Sequence, residues 1–368
     1  DLQRSQLFRI EDIDGVADLQ GKSPKPALIQ RVSASGVHVS VWGKLERRGD
    51  DIFLDAFLYE GEAGRKVLRK VYTGSKGVVR AMVHRLSNMI IERYTGQRGV
   101  AGTQIAFVAE INNGKQLHVM GYDGYRPRPL TNNRSLNLFP HWSPGKRFLA
   151  FTSYLDGNPD IHVMDLTTGE IRNVVAFQGA NITPAWSPDG KQLAFASSFD
   201  GDSDIYTIEA SGGTKLRQLT FSPASDFSPT WSPSGIEIAF SSDRGGSLQI
   251  YVMDADGSNV RRLTFEGRYN TAPAWSPDGR WIAYTCRNKQ GSLKICRVTP
   301  DGRQSVQVTQ SVGDHESASW SPDGRHIVFS VASRGESDIY SVHYDGSGLV
   351  RLTSGPYRAS SPSWSLWE

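Results

Sequence analysis

Six tryptophans constrain this chain more than any other feature. Trp142, Trp186, Trp231, Trp275, Trp320 and Trp364 follow one another at intervals of 44, 45, 44, 45 and 44 residues. The first five are each followed by Ser-Pro, and Trp364 by Ser365 alone. The fullest form, Pro184-Ala-Trp-Ser-Pro-Asp-Gly190, returns as Pro273-Ala-Trp-Ser-Pro-Asp-Gly279. A repeat of this length points to an array of identical supersecondary units.

Each unit runs through the same signals. Ser-Pro-Asp-Gly has turn chemistry, because Pro presets φ, Asp tolerates the next position and Gly closes the turn. An apolar strand follows, such as Leu193-Ala-Phe-Ala196 or Ile238-Ala-Phe240. A polar loop leads to a second apolar run such as Asp204-Ile-Tyr-Thr-Ile208, and an Asp-Gly turn leads to a last strand ending in Leu-Thr. With the Trp-bearing strand, that makes four short antiparallel strands per unit, the pattern of a propeller blade. Residues 103–131 supply three strands with no Trp strand before them, and residues 359–364 supply a Trp strand with nothing after it. Together they complete one blade. The expectation is a six-bladed β-propeller over residues 101–368, closed by N- and C-terminal strands in one blade, which removes the exposed sheet edge.

Residues 1–100 lack the repeat. Alternating runs at 38–45 and 51–58 and a third candidate at 66–72 read as strands. Residues 76–94 read as a helix presenting Val79, Val83, Leu86, Ile90 and Tyr94 on one face, stopped by Gly96, and a shorter helix fits residues 27–32. The expected fold class is an α/β N-terminal domain followed by the all-β propeller.

Charge excludes one class of partner. Against 41 Lys and Arg stand 38 Asp and Glu, and the basic pairs Arg47-Arg48 and Arg261-Arg262 are isolated. A basic stripe that would grip a phosphate backbone is missing, so nucleic acid is not expected as a partner. No apolar run approaches the roughly 18 residues that cross a bilayer, so membrane insertion is not expected. The chain begins at Asp1-Leu2-Gln3 without an initiator Met and reads as a trimmed or mature form. Cys286 and Cys296, the only cysteines, flank a Gly-containing turn on neighbouring strands. They read equally as two small buried side chains or as a cross-strand disulfide of an oxidising compartment.

Catalytic motifs are absent. The chain has no Gly-x-Ser-x-Gly elbow, His-Glu-x-x-His, phosphate loop or dinucleotide fingerprint. Asp189, Asp278 and Asp323 recur at one turn and read as scaffolding. His118, His141 and His162 read as packed or surface residues rather than ligands, and no residue singles itself out as a channel metal ligand. Asp314-His315-Glu316 is the one dense polar cluster at a blade entrance, read as a solvated loop, a partner contact or a loose cation site.

The Trp-Ser-Pro-Asp-Gly and Asp-Ile-Tyr-Val-Met-Asp repeats resemble the TolB family. So do the linker into Gln104-Ile-Ala-Phe-Val108 and the helix ending Ile91-Glu-Arg-Tyr-Thr-Gly96. The resemblance implies a periplasmic, non-enzymatic, cofactor-free component of the Tol–Pal system, which maintains outer-membrane integrity and helps division. It implies that the propeller mouth binds a Pal-like lipoprotein just before successive Trp strands, here at Ala180, Thr183 and Phe227. Blade equivalence extends that site to Asn181, Asp226, Asn270, Thr271, His315 and Glu316. It also implies a segment engaging a TolA-type protein, lying ahead of Leu2-Gln-Arg-Ser-Gln-Leu-Phe8 and missing from this sequence. Leu2–Phe8 itself resembles the interior of the domain's first helix.

A binding role has a physical basis of its own. A closed propeller presents preorganised loops at little ordering cost, which suits a monomeric scaffold. Phe139 and Phe227, ringed by Asn181, Asn270 and Glu316, would make an apolar centre with a polar rim. The alternative is that both phenylalanines pack between blades. A propeller adaptor of another pathway, or a propeller enzyme such as a lyase or cyclotransferase, remains open at this point.

Overall fold

The computed structural model describes residues 1–5, 7–11, 26–61, 63–112, 114–213 and 215–367. The chain divides into two compact units, Asp1–Gly102 and Thr103–Glu368.

The first unit holds helix α1 (Pro26–Ala34), strands β1 (Val39–Arg48), β2 (Asp51–Glu60) and β3 (Arg65–Ser75), and helix α2 (Val79–Thr95). The strands form one antiparallel sheet in the order β1-β2-β3. Ile52, Leu54, Ala56 and Leu58 alternate inward along β2 and are buried, the period-2 pattern of a half-covered strand. Gly96 stops α2 in the left-handed conformation at φ 69°, its N–H donating to Glu92 O. The buried face of α2 differs from the expected one: it carries Met82, Ser87, Ile90 and Ile91, while Val83 and Tyr94 are exposed. A short 3₁₀ turn at Lys76–Val78 precedes the helix. Residues 2–5 form turns rather than the helix interior expected there.

The second unit is made of six four-stranded antiparallel sheets. Sheets one to five occupy residues 137–175, 181–218, 226–262, 270–307 and 314–351 in sequence order. The sixth combines Arg358–Trp364 with Gln104–Ile111, Gly114–Gly121 and Arg128–Pro129. The first strand of each sheet touches the first strand of the next, and Arg358–Trp364 touches both Asp314–Trp320 and Asn137–Trp142.

The repeat explains the core. Phe107, Phe151, Phe195, Phe240 and Phe329 occupy one position on successive second strands and are fully buried. Each faces a ring on the third strand, His118, His162, Tyr206, Tyr251 or Tyr340, at centroid distances of 5.6, 5.8, 6.0, 6.0 and 6.4 Å. His118 and His162 are therefore packing residues. The fourth sheet breaks the series, with Tyr284 opposite Cys296. Cys296 is bonded to Cys286, which resolves the two readings of this pair in favour of the disulfide.

The tryptophans join neighbouring sheets. Trp231 Nε1 donates to Ala185 O at 3.2 Å and Trp320 Nε1 to Ala274 O at 2.9 Å, each reaching the preceding sheet. Trp142 Nε1 donates to Ser363 O at 3.0 Å, so the first and last Trp strands are linked the same way.

Candidate partner-binding site

Every first strand is interrupted by a bulge. The register shifts between Leu138 and His141, Ile182 and Ala185, Phe227 and Thr230, Thr271 and Ala274, Glu316 and Ser319, and Ser360 and Ser363. The residue inside each shift is Phe139, Thr183, Ser228, Ala272, Ser317 or Ser361, and all six have φ between 48° and 58°. None is glycine, so each position carries backbone strain that its surroundings must offset. Five of the six precede Pro, which a strand tolerates at a bulge because no ladder N–H is needed there. Neighbouring sheets supply the compensation. Thr183 N donates to Thr152 Oγ1 at 3.2 Å, Ala272 N to Ser241 Oγ at 3.0 Å and Ser317 N to Thr285 Oγ1 at 3.3 Å. The second sheet has Ala196 where those hydroxyls sit, and Ser228 N instead reaches Thr183 Oγ1 at 3.2 Å.

The residues that open the first strands are buried and bracket the loops before them. Asn181, Asp226, Asn270 and His315 are 0–2% exposed. Asn181 donates to Asp160 Oδ1 and Phe177 O and accepts from Ser197 Oγ at 2.7 Å. Asn270 donates to Gln249 Oε1 and Glu266 O. Thr309 Oγ1 accepts from Ile295 N at 3.0 Å and shares a second hydrogen bond with His315 Nδ1 at 2.7 Å. Burial, and then the nearby Lys294 charge, pull the His315 pKa down to about 4. Thr271 is also buried, sharing a hydrogen bond with Ser241 Oγ.

Of the remaining expected residues, Phe139 is exposed and Ala180, Thr183, Phe227 and Glu316 are half-buried. Phe227 also packs against the core between the second and third sheets, as the packing alternative anticipated. Burial pushes the Glu316 carboxyl above its ordinary range, and Asp314 adds to the rise.

Sequence reasoning missed the loops that lead into these strands. Val312, Phe221 and Phe265 are 86%, 78% and 69% exposed, the most exposed large apolar side chains among the described residues. Each lies between the fourth strand of one sheet and the first strand of the next, hence at one end of the sheets, the mouth end. The signal was present in Leu219-Thr-Phe221 and Leu263-Thr-Phe265, where an aromatic residue directly follows the Leu-Thr that ends a strand. Among the described residues no three His, Cys, Asp or Glu side chains are placed to hold a metal ion. The arrangement offers apolar tips on rigid brackets, the chemistry of protein recognition.

Residues 91–368 match the family model described as the TolB beta propeller domain. The chain belongs to the TolB β-propeller family. A Tol-Pal system protein TolB from Geobacter sulfurreducens is 43% identical over 115 residues, which is 31% of this chain and 27% of that protein. A second, from Geobacter metallireducens, is 42% identical over 110 residues, 30% of this chain and 26% of that protein. The aligned part thus spans about a quarter of the curated TolB relatives' length. Among solved structures, TolB from Acinetobacter baumannii matches 97% of this chain and 94% of its own, with 25% identity and a TM-score of 0.82.

Proposed function

We propose that this chain is a non-catalytic periplasmic scaffold of the Tol–Pal system, a closed six-bladed propeller that binds a Pal-like lipoprotein at its mouth. In this reading it supports outer-membrane integrity and cell division, and it also works with a TolA-type protein. The observation that carries the binding role is the placement of Phe221, Phe265 and Val312, solvent-exposed on loops that buried side chains hold in place. Exposed apolar side chains on three successive loops at one end of the sheets suit a protein-contact surface. The names of the TolB relatives, which place them in the Tol-Pal system, select the partner class. The Cys286–Cys296 disulfide fits an oxidising compartment such as the periplasm. Among the described residues no helix is long and apolar enough to cross a membrane.

Within the mouth, Phe139, Thr183, Phe227 and Glu316 form the inner contact surface, Ala180 its edge, and the three exposed tips the outer one. Asn181, Asp226, Asn270, Thr271 and His315 serve the site by fixing its loops. Calorimetric titration with the periplasmic domain of a Pal-like lipoprotein tests the reading. Saturable micromolar binding supports it; no heat of binding at about 50 µM, roughly −6 kcal/mol or weaker, refutes it.

A further inference from the structure

Three of the junctions between successive sheets share one plan. The residue that opens a first strand meets the residue near the start of the third strand in the preceding sheet. Asn137 donates its amide to Gln116 at 3.3 Å, Asn181 to Asp160 at 3.1 Å and Asn270 to Gln249 at 2.8 Å. A threonine hydroxyl donates to the same third-strand side chain, Thr131 to Gln116 at 2.8 Å and Thr264 to Gln249 at 2.7 Å. A second-strand serine donates to the asparagine oxygen, Ser153 to Asn137 at 2.9 Å and Ser197 to Asn181 at 2.7 Å.

Between the second and third sheets the pair is Asp204 and Asp226. They are 6% and 0% exposed. Asp204 accepts from Thr220 Oγ1 at 2.8 Å and from Gln218 Nε2 at 3.0 Å. Asp226 Oδ2 accepts from Arg244 Nη2 at 2.7 Å, while its buried Oδ1 has no hydrogen-bond partner. An ionised carboxylate has no hydrogen to give, so the bond that an amide makes at those three junctions has no donor here. Two buried like charges at one junction are costly unless one is neutralised.

We propose that Asp204 and Asp226 hold one proton between them, which makes this junction an acid-tightened clasp on the mouth loop at residues 221–225. Both ends of that loop are tied to the pair. Thr220 bonds Asp204, and Asp226 is fixed through its backbone, its N–H donating to Ser203 O at 2.6 Å and its carbonyl accepting from Ser203 Oγ at 3.0 Å. The surrounding charges do not replace the proton. Arg244, lying over Phe240 and Tyr251, is the one cation bonded to the pair among the described residues. Asp202 adds negative charge beside Asp204, and Asp243 accepts from Ser225 N. Burial raises both carboxyl pKa values: at Asp226 it outweighs the Ser242 and Thr220 hydroxyls and the Arg244 charge, and at Asp204 it outweighs the Thr220 and Gln218 bonds, with the charge of Asp226 adding to the rise.

The sign follows by linkage. A carboxyl whose pKa is raised on folding binds more protons in the folded state than in the unfolded chain. Its stabilising effect is complete below about pH 4 and is lost as the pH rises through the raised folded value. Deprotonation sets the two carboxylates against each other and loosens the loop that carries Phe221. The clasp does not depend on the identity of the partner, so its test needs none.

Asp204→Asn is the decisive variant. It supplies a permanent amide hydrogen to Asp226 and keeps the Asp226–Arg244 pair. The variant is expected to melt roughly 2–4 °C above the wild type at pH 7.5, a difference that shrinks towards zero near pH 4.5. Carbon-13 titration of the wild-type carboxyls should show one of the two retaining its proton above the ordinary carboxyl range. Two carboxyls that both titrate near 4, or a melting difference that is the same at both pH values, would overturn the proposal. Should Asp204→Asn fail to fold, the wild-type carbon-13 titration decides alone.

Discussion

The two ends of the propeller sheets come from one repeat and obey different rules. At the Ser-Pro-Asp-Gly end, each turn satisfies itself. Ser187 Oγ donates to Asp189 Oδ1 at 2.7 Å, the Asp accepts from Lys191 N at 3.0 Å, and Gln192 N closes back on Ser187 Oγ at 2.9 Å. Ser276 with Asp278 and Ser321 with Asp323 repeat the design at 2.6 and 2.5 Å. At the mouth end the bracket changes from sheet to sheet, through Asn137, Asn181, Asp226, Asn270 and His315. The loop tips change as well, from the glycine at 179 to Phe221, Phe265 and Val312. What repeats holds the sheets together; what varies at a fixed position is free to serve recognition.

Substitutions graded by size sharpen that contrast. Trp231→Ala removes a buried ring and its bond to Ala185 O, and it should cost about 3–5 kcal/mol in urea unfolding. A cost under about 1 kcal/mol would mean that the repeated Trp does not join the sheets.

The His315 bracket gives a pH signature of opposite sign to the Asp204–Asp226 clasp. Its pKa falls from 6.5 to about 4 on folding, so the ring's stabilising effect is present above pH 6.5 and is lost as the pH falls towards 4. His315→Asn, matching the residue at three other junctions, should flatten that acid loss by up to about 3 kcal/mol. Unchanged acid sensitivity of the variant would show that His315 is protonated in the folded protein.

Asn181→Ala strips one hydrogen bond each from Phe177 O, Asp160 and Ser197. About 2 kcal/mol should be lost. A neutral result would return Asn181 to the list of contact residues. Phe221→Ser and Phe265→Ser sit at the other extreme, and each should change folding stability by no more than about 0.5 kcal/mol. A larger loss would mean that these tips pack rather than wait for a partner.

Much of this was legible in the residues. The Trp period, the turn chemistry and the Ala-Phe core positions follow from a repeat that local physics enforces in every unit. Two features were hidden. The left-handed bulges fall on Phe139, Thr183, Ser228, Ala272, Ser317 and Ser361, where no glycine advertises a positive φ; the following prolines were the available sign. The burial of the brackets was the other, because Asn, Asp and His before a strand look solvated. Their recurrence at one repeat position, the same reasoning that marked Asp189, Asp278 and Asp323 as scaffolding, pointed to burial.

The two ends can be set against each other in one titration. Ile236, 67% exposed at the Ser-Pro turn of the third sheet, is the natural control for Phe221 and Phe265, which are 78% and 69% exposed. Calorimetry with a Pal-like periplasmic domain would compare the wild type, Phe221→Asp combined with Phe265→Asp, and Ile236→Asp. The account predicts at least a tenfold loss of affinity, about 1.4 kcal/mol, for the mouth pair and none for Ile236→Asp. Loss at Ile236→Asp with the mouth pair unaffected would place recognition at the opposite end of the sheets and contradict the account.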